Sequence, residues 1–196
     1  AMDCGKIIGA AAKMKADPFD LIWGERLSVT TSLDVITIPT FAATGTEVNN
    51  AAVMVDETTH EKYWAITKFP NYAIMDPELT LSVPLELTIW GAMDILSHTF
   101  EYYFNGNTSS EFQLCFSEAL ISSIMTTVDK LIADPDDLNA RGELMWEAVM
   151  AWGGLTKIGQ GDPDMACHSI EESFSGYFDT HHGACLSILT PNWMKI

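Results

Sequence analysis

Asp94 and His98 could bind a metal ion together. They are four residues apart in a largely apolar segment, so on a helix their side chains lie on one face, about one turn apart. A buried carboxylate beside a buried imidazole needs a compensating partner, and a cation is one such partner. The pair alone leaves two interpretations open, because aspartate and histidine at this spacing also form ordinary hydrogen bonds on helix surfaces.

Two further histidines extend this candidate set. His168 lies in a later apolar segment, and His182 opens a glycine turn before an apolar run. With Asp94 and His98 they supply one carboxylate and three imidazoles, donors that suit Fe²⁺ or Zn²⁺ and suit Mg²⁺ or Ca²⁺ badly. Spacing does not show whether the two halves of the set meet. The remaining two histidines are interpreted as bystanders, and they are His60 and His181.

A second candidate region, residues 39–47, reads Pro-Thr-Phe-Ala-Ala-Thr-Gly-Thr-Glu and follows a predicted strand. Hydroxyls, small residues and exposed backbone N–H groups at such a turn can hold phosphate or ribose oxygens. Threonine and glycine are equally well explained there as caps of a following helix. The local pattern leaves both interpretations open.

The elements that must position these residues change character near residue 77. Before it, short β-branched runs closed by Gly, Pro, Asn or Asp predict strands that alternate with helical pattern, as in an α/β layer. The predicted strands are residues 34–39, 51–56 and 72–75. Beyond it, apolar residues at three- and four-residue spacing predict an all-α part. The predicted helices are residues 86–104, 110–134, 138–155 and about 165–177.

The composition excludes several partners. Ten basic against 27 acidic residues leave a formal net charge of −17, which would repel a phosphate backbone or an anionic membrane surface, so we expect neither nucleic acid nor membrane as a partner. With 47% apolar and 19% charged residues, the chain should form a compact core. The four cysteines form no CxxC pair and no transmembrane pattern is present, so we expect a cytoplasmic protein with reduced thiols.

Several stretches together resemble the iron-dependent alcohol dehydrogenase family, and within it the butanol dehydrogenase-like branch. They occur in family order at residues 2–6, 38–47, 75–80, 91–101, 167–168, 182–183 and 189–194. The resemblance implies a partial Rossmann-like nucleotide-binding α/β domain over residues 1–77. It implies the start of a helical metal-binding domain over residues 78–196, in a dehydroquinate synthase-like architecture. Because family members are about twice as long, we expect this chain to be the central part of a longer protein.

The resemblance also implies roles for individual residues. Asp94, His98, His168 and His182 match the four metal ligands, for Fe²⁺ or Zn²⁺. The residues that match the NAD or NADP site are Asp3, Thr40, Thr44, Thr46 and Lys62.

Glu172 departs from the family pattern. The family usually has a histidine at this position, near the nicotinamide and often assigned to proton transfer. On a helix Glu172 would share the His168 face, so it could accept the non-ligating N–H of a metal-bound histidine or approach the metal as a further ligand. Ordinary sequence drift is the alternative.

The activity implied is hydride transfer between NAD(P) and a short-chain primary alcohol or aldehyde, by a homo-oligomer in which the metal acts as a Lewis acid. Two alternatives remain. One is a catalytically silent, truncated metal-binding fragment. The other is a lyase of the dehydroquinate synthase type, which must hold a phosphorylated, carboxylated substrate. The cations available for that in the central helical part are Lys130, Arg141 and Lys157.

Overall fold

A computed structural model of the chain describes residues 2–15, 17, 19, 29, 31–105, 110–161, 163 and 165–195. In the first part the elements are α1 (Met2–Ala11), β1 (Ile36–Thr37), β2 (Ala51–Val55), β3 (Lys62–Ile66) and β4 (Tyr72–Ala73). After a 3₁₀ turn (Pro77–Thr80) follow α2 (Leu85–Tyr103), α3 (Glu111–Ala133), α4 (Leu138–Trp152), α5 (Ala166–Phe178) and α6 (His182–Trp193). None of the helices within these ranges is both long and apolar enough to cross a membrane.

The strands form two separate pairs. β1 and β4 run parallel, and β2 and β3 run antiparallel with Ala51 opposite Ile66. The strand predicted over residues 51–56 is confirmed as β2. The two others shrink to two residues each, and Pro39 lacks the N–H that would extend the pairing of β1. Strand β3 (Lys62–Ile66) was not predicted from the sequence.

The helical part has its core between α2, α3 and α4. Side chains at three- and four-residue spacing on these helices are fully buried against one another. They include Ile95, Ile124, Leu131, Leu144, Met145 and Ala148. Side-chain caps fix two helix starts, since Ser110 accepts from the N–H of Gln113 and Asp137 from that of Ala140. The four predicted helices are confirmed to within a few residues.

Helix α6 begins at His182, where the local sequence pattern predicts only a glycine turn followed by an apolar run. Pro191 lies in the last turn of the helix, where its missing N–H removes a single intrahelical hydrogen bond close to the helix end. Gly183 and Leu186 face the protein interior, so the helix is held by tertiary packing on α2 and α5.

A buried arginine ties the junction near residue 77 to α4. Arg141 is 3% exposed, and its three guanidinium nitrogens donate to carbonyl oxygens of Pro135 (2.6 Å), Thr80 (2.6 Å) and Val83 (3.4 Å). The side chain is thereby engaged in holding backbone. Arg141 was named above as a cation that could bind a phosphorylated substrate. The structure shows its guanidinium group bound to backbone carbonyl oxygens instead.

Candidate metal centre

Three helices bring the four predicted metal ligands to one point. Asp94 and His98 lie one turn apart on α2, His168 lies in the first turn of α5, and His182 is the first residue of α6. The Nε2 atoms of His98, His168 and His182 lie 3.3, 3.5 and 3.3 Å from Oδ1 of Asp94. The ligand atoms of Asp94, His98 and His168 therefore lie within 4.8 Å of one another, and Nε2 of His182 approaches the same carboxylate oxygen.

The cluster is closed on one side and open on the other. Asp94, His98 and His168 are buried, whereas the side chain of His182 is 26% exposed. The rings of His98 and His168 stack with centroids 4.3 Å apart, and Trp152 covers His98 at 4.5 Å. The exposed side of the cluster is therefore the one at His182, from which a small molecule could approach.

The polar atoms of this cluster lack the partners that buried groups need. Both carboxylate oxygens of Asp94, both ring nitrogens of His98 and Nε2 of His168 are buried without a hydrogen bond within the described chain. Leaving such atoms unpaired costs about 1–3 kcal/mol each. One cation bound by the carboxylate and the Nε2 atoms would satisfy most of them, and one oxygen with three nitrogens is a donor set that Fe²⁺ and Zn²⁺ accept. The residues therefore fit such an ion.

Burial and the facing charges set the protonation states of the cluster. Burial lowers the pKa of His98 to about 3, so this ring is neutral. Burial alone would raise the pKa of Asp94, but the facing imidazoles, led by His98, hold it well below its usual range. Burial likewise opposes protonation of His168, but Asp94 and Glu101 outweigh it and raise its pKa to about 9. Metal binding at neutral pH must therefore displace a proton from His168.

Two buried glutamates, neither of them among the residues predicted from the sequence, contact the Nδ1 atoms of His168 and His182. The Nε2 atoms of the same rings face Asp94. Oε2 of Glu101, on α2, makes a short contact with Nδ1 of His168, and Oε2 of Glu171, on α5, makes one with Nδ1 of His182. Glu101 closes one of the quoted motif stretches, but the histidine it meets is 67 residues away. Since each pair joins two helices, no local spacing could have identified it.

Glu172 makes no hydrogen bond with a histidine in the described part of the chain. It is half-buried, and burial raises the pKa of its carboxyl. The non-ligating nitrogens of His168 and His182 already contact Glu101 and Glu171. The position of an imidazole N–H acceptor, one of the roles considered for Glu172, is therefore taken by Glu101 at His168 and by Glu171 at His182.

Of the five residues predicted to contact the cofactor, two belong to one buried network. Asp3 accepts a short hydrogen bond from the hydroxyl of Thr46 and another from the N–H of Val53 at 2.9 Å. Nζ of Lys6 donates to the same Thr46 hydroxyl at 2.7 Å and to Oδ1 of Asn49 at 3.1 Å. The network fastens α1 to the turn that precedes β2.

The other three are placed differently. Thr40 is exposed and Thr44 half-buried, and neither hydroxyl has a hydrogen-bond partner inside the described ranges. Lys62 lies beside the metal cluster: its Nζ is 3.2 Å from Nδ1 of His182 and 3.4 Å from Oε2 of Glu171. The structure therefore does not bring the five into one contact cluster.

Lys6 makes the unfolding free energy depend on pH. It is 1% exposed, and burial lowers its pKa from 10.5 to about 8, although the nearby charges of Asp3 and Glu47 act to raise it. Between these values the unfolded chain binds more protons, so stability rises with pH. We expect the difference between wild type and Lys6→Met to grow by up to about 3 kcal/mol from pH 8 to pH 10.5 in urea unfolding. Parallel curves for the two proteins would contradict this.

Comparison with known proteins shows similarity along the whole chain. Residues 88–196 match the Fe-containing alcohol dehydrogenase family, C-terminal, and residues 1–77 match the iron-containing alcohol dehydrogenase family. The chain is 36% identical to NADH-dependent butanol dehydrogenase B of Clostridium acetobutylicum, over 100% of this chain and 50% of that protein. It is 28% identical to the NADPH-dependent aldehyde reductase YqhD of Escherichia coli, over 97% and 50%.

A solved structure is also similar over nearly the whole of this chain. NADH-dependent butanol dehydrogenase A of Thermotoga maritima superposes with a TM-score of 0.94 at 38% identity, covering 99% of this chain and 49% of that one. The α/β-plus-helical arrangement is therefore that of known iron-containing alcohol dehydrogenases. The chain spans about half the length of the curated relatives it matches.

Proposed function

Because this chain belongs to the iron-containing alcohol dehydrogenase family, we propose that it carries the metal centre of an alcohol dehydrogenase or aldehyde reductase. The reaction is hydride transfer between NAD or NADP and a short-chain primary alcohol or aldehyde. The observation that carries the proposal is the convergence of three Nε2 atoms on Oδ1 of Asp94. Relatives that act on butanol and on aldehydes support the substrate class.

In this proposal Asp94, His98, His168 and His182 hold Fe²⁺ or Zn²⁺. When bound, the divalent ion supplies Lewis-acid chemistry, polarising the oxygen of the alcohol or aldehyde. The three neutral imidazoles and one carboxylate leave a net charge of about +1 with such an ion, which favours a negative oxygen. Trp152 keeps water from the His98 side, and the exposed face of His182 admits the substrate.

The cofactor binds, in the same proposal, along Asp3, Thr40, Thr44, Thr46 and Lys62. The hydroxyls of Thr40 and Thr44, which have no hydrogen-bond partner among the described residues, support a contact with the dinucleotide, since both can donate to phosphate or ribose oxygens. Asp3 and Thr46 act through the network that holds this turn in place. Lys62 would lie where the cofactor and the metal centre meet.

We propose residues 1–77 as part of a Rossmann-like nucleotide-binding domain and residues 78–196 as part of a helical metal-binding domain, in a dehydroquinate synthase-like arrangement. The restriction of strands to the first range supports this division among the described residues. Apolar side chains exposed on one face of the β1–β4 pair, including Ile36, Tyr72 and Ile74, support a homo-oligomer. Four free cysteines support a cytoplasmic location.

Glu172 lies at the usual proton-relay position. We propose that it makes turnover slower than it would be with a histidine there. An ionised carboxylate near the centre makes the site more negative and opposes charge on the substrate oxygen. In the full-length protein we expect Glu172→His to raise turnover about 10-fold or more, because histidine also restores an acid–base group. Glu172→Gln separates the two effects, since it removes the charge without supplying a relay. Unchanged turnover in both variants would refute the role.

Metal analysis tests the function first. The chain is purified without added metal and under low oxygen, and its iron and zinc are measured. About one ion per chain supports the proposal; a folded protein without metal refutes it for this chain. Butan-1-ol oxidation with NAD or NADP then separates an active enzyme from a silent metal-binding fragment, which binds the ion but forms no reduced cofactor.

A further inference from the structure

Glu101 is placed to do more than contact His168. It is 1% exposed, and its Oε1 accepts from the backbone N–H groups of Cys167 (2.7 Å) and His168 (3.2 Å). These N–H groups lie in the first turn of α5, whose own N-cap residue, Met165, has a left-handed backbone and no capping side chain. The carboxylate from α2 therefore caps α5 across the helix boundary, and it leaves Oε2 for Nδ1 of His168.

Glu171 has the equivalent place behind His182. Its side chain is fully buried, with Oε2 against Nδ1 of His182 and 3.4 Å from Nζ of Lys62. Lys62 also donates to Ser175 at 3.1 Å. The ammonium group of Lys62 is close enough to compensate the buried negative charge of Glu171.

We propose that Glu101 and Glu171 are positioning residues that keep the Nδ1 proton on His168 and His182, so that both rings present Nε2 to the metal. A carboxylate can only accept, so it selects the tautomer in which Nδ1 carries the proton and Nε2 has a free lone pair. The inference rests on the proposed metal centre. It assigns the orientation of the His168 and His182 rings to two residues that do not themselves bind the ion.

Glutamine tests this selection with little change of shape. The amide of Glu101→Gln can still accept from the α5 backbone, but its NH₂ group then faces Nδ1 and favours a proton on Nε2. We expect Glu101→Gln and Glu171→Gln each to weaken Zn²⁺ binding about 10- to 100-fold in chelator competition. Glu147→Gln is the matched control, because Glu147 is a buried glutamate that bonds Thr127 on α3 and no histidine. Its Zn²⁺ affinity should equal that of the wild type.

Nuclear magnetic resonance of ¹⁵N-histidine-labelled wild type gives a readout that a merely structural role would not move. We expect two strongly downfield Nδ1-bound protons, from His168 and His182, with and without Zn²⁺; each disappears or shifts upfield in the matching glutamine variant. If His182 instead accepts from Lys62 at Nδ1, its proton lies on Nε2 and the proposal fails for Glu171. Wild-type affinity in folded Glu101→Gln and Glu171→Gln would overturn it for both. A wild type that binds no Zn²⁺ refutes the proposed function, and the proton signals still decide the pairing.

Discussion

Replacing His168 and His182 together with alanine is expected to abolish stoichiometric binding of Fe²⁺ or Zn²⁺. The two residues supply two of the three Nε2 atoms around Oδ1 of Asp94, and they come from helices other than the one that carries Asp94. Losing an outer partner of a metal ligand costs about 10- to 100-fold in affinity, so losing two direct donors should cost more than about 1000-fold. Elemental analysis and chelator competition on the purified protein measure this.

The matched control removes the two histidines that lie outside the cluster. His60→Asn keeps a residue type that tolerates the positive φ of 61° at this position, and His181→Ala removes a ring that packs on Trp90. Metal content should stay at the wild-type value in this double variant. Equal metal content in all three proteins would show that the ion, if present, is bound elsewhere.

Gly183→Ala is expected to destabilise the protein by more than about 3 kcal/mol and to weaken metal binding. A Cβ atom on Gly183 would lie 2.1 Å from the carbonyl oxygen of Trp90, so α6 and α2 would have to move apart. This contact is next to His182 in the chain, and the displacement moves its Nε2 away from Asp94. Urea unfolding and zinc titration of the same samples measure both effects.

A second glycine gives the matched control for this substitution. Gly142 lies in α4, and an added Cβ would meet only Pro77 side-chain atoms, at 3.6 and 3.7 Å. Alanine there loses less backbone entropy on folding, so Gly142→Ala should stabilise the protein by about 0.5–1 kcal/mol. A Gly183→Ala protein as stable as the wild type would contradict the close helix approach that places His182.

Local sequence pattern was sufficient to predict part of the candidate metal centre. Asp94 and His98 lie on one face of α2 because four residues make about one helical turn, and that geometry needs nothing beyond the helix itself. Helices α2 to α5 were predictable for the same reason, since apolar spacing repeats with the helical period, whereas α6 was not. The strands were less predictable, because β1 and β4 are two residues long and depend on pairing with distant chain.

The sequence by itself determined the residue types of the centre, the helices that carry most of them, and, through the order of its motifs, the family. Local pattern could not show that His168 and His182 reach Asp94, and only the tertiary structure gives these distances and shows that Glu101 and Glu171 contact the two histidines. It also decided that α6 is a helix, which packs on α2 at Gly183. The physical reason is the separation along the chain. The helical period relates residues only a few positions apart, whereas these contacts join different helices and depend on the packing of the complete core.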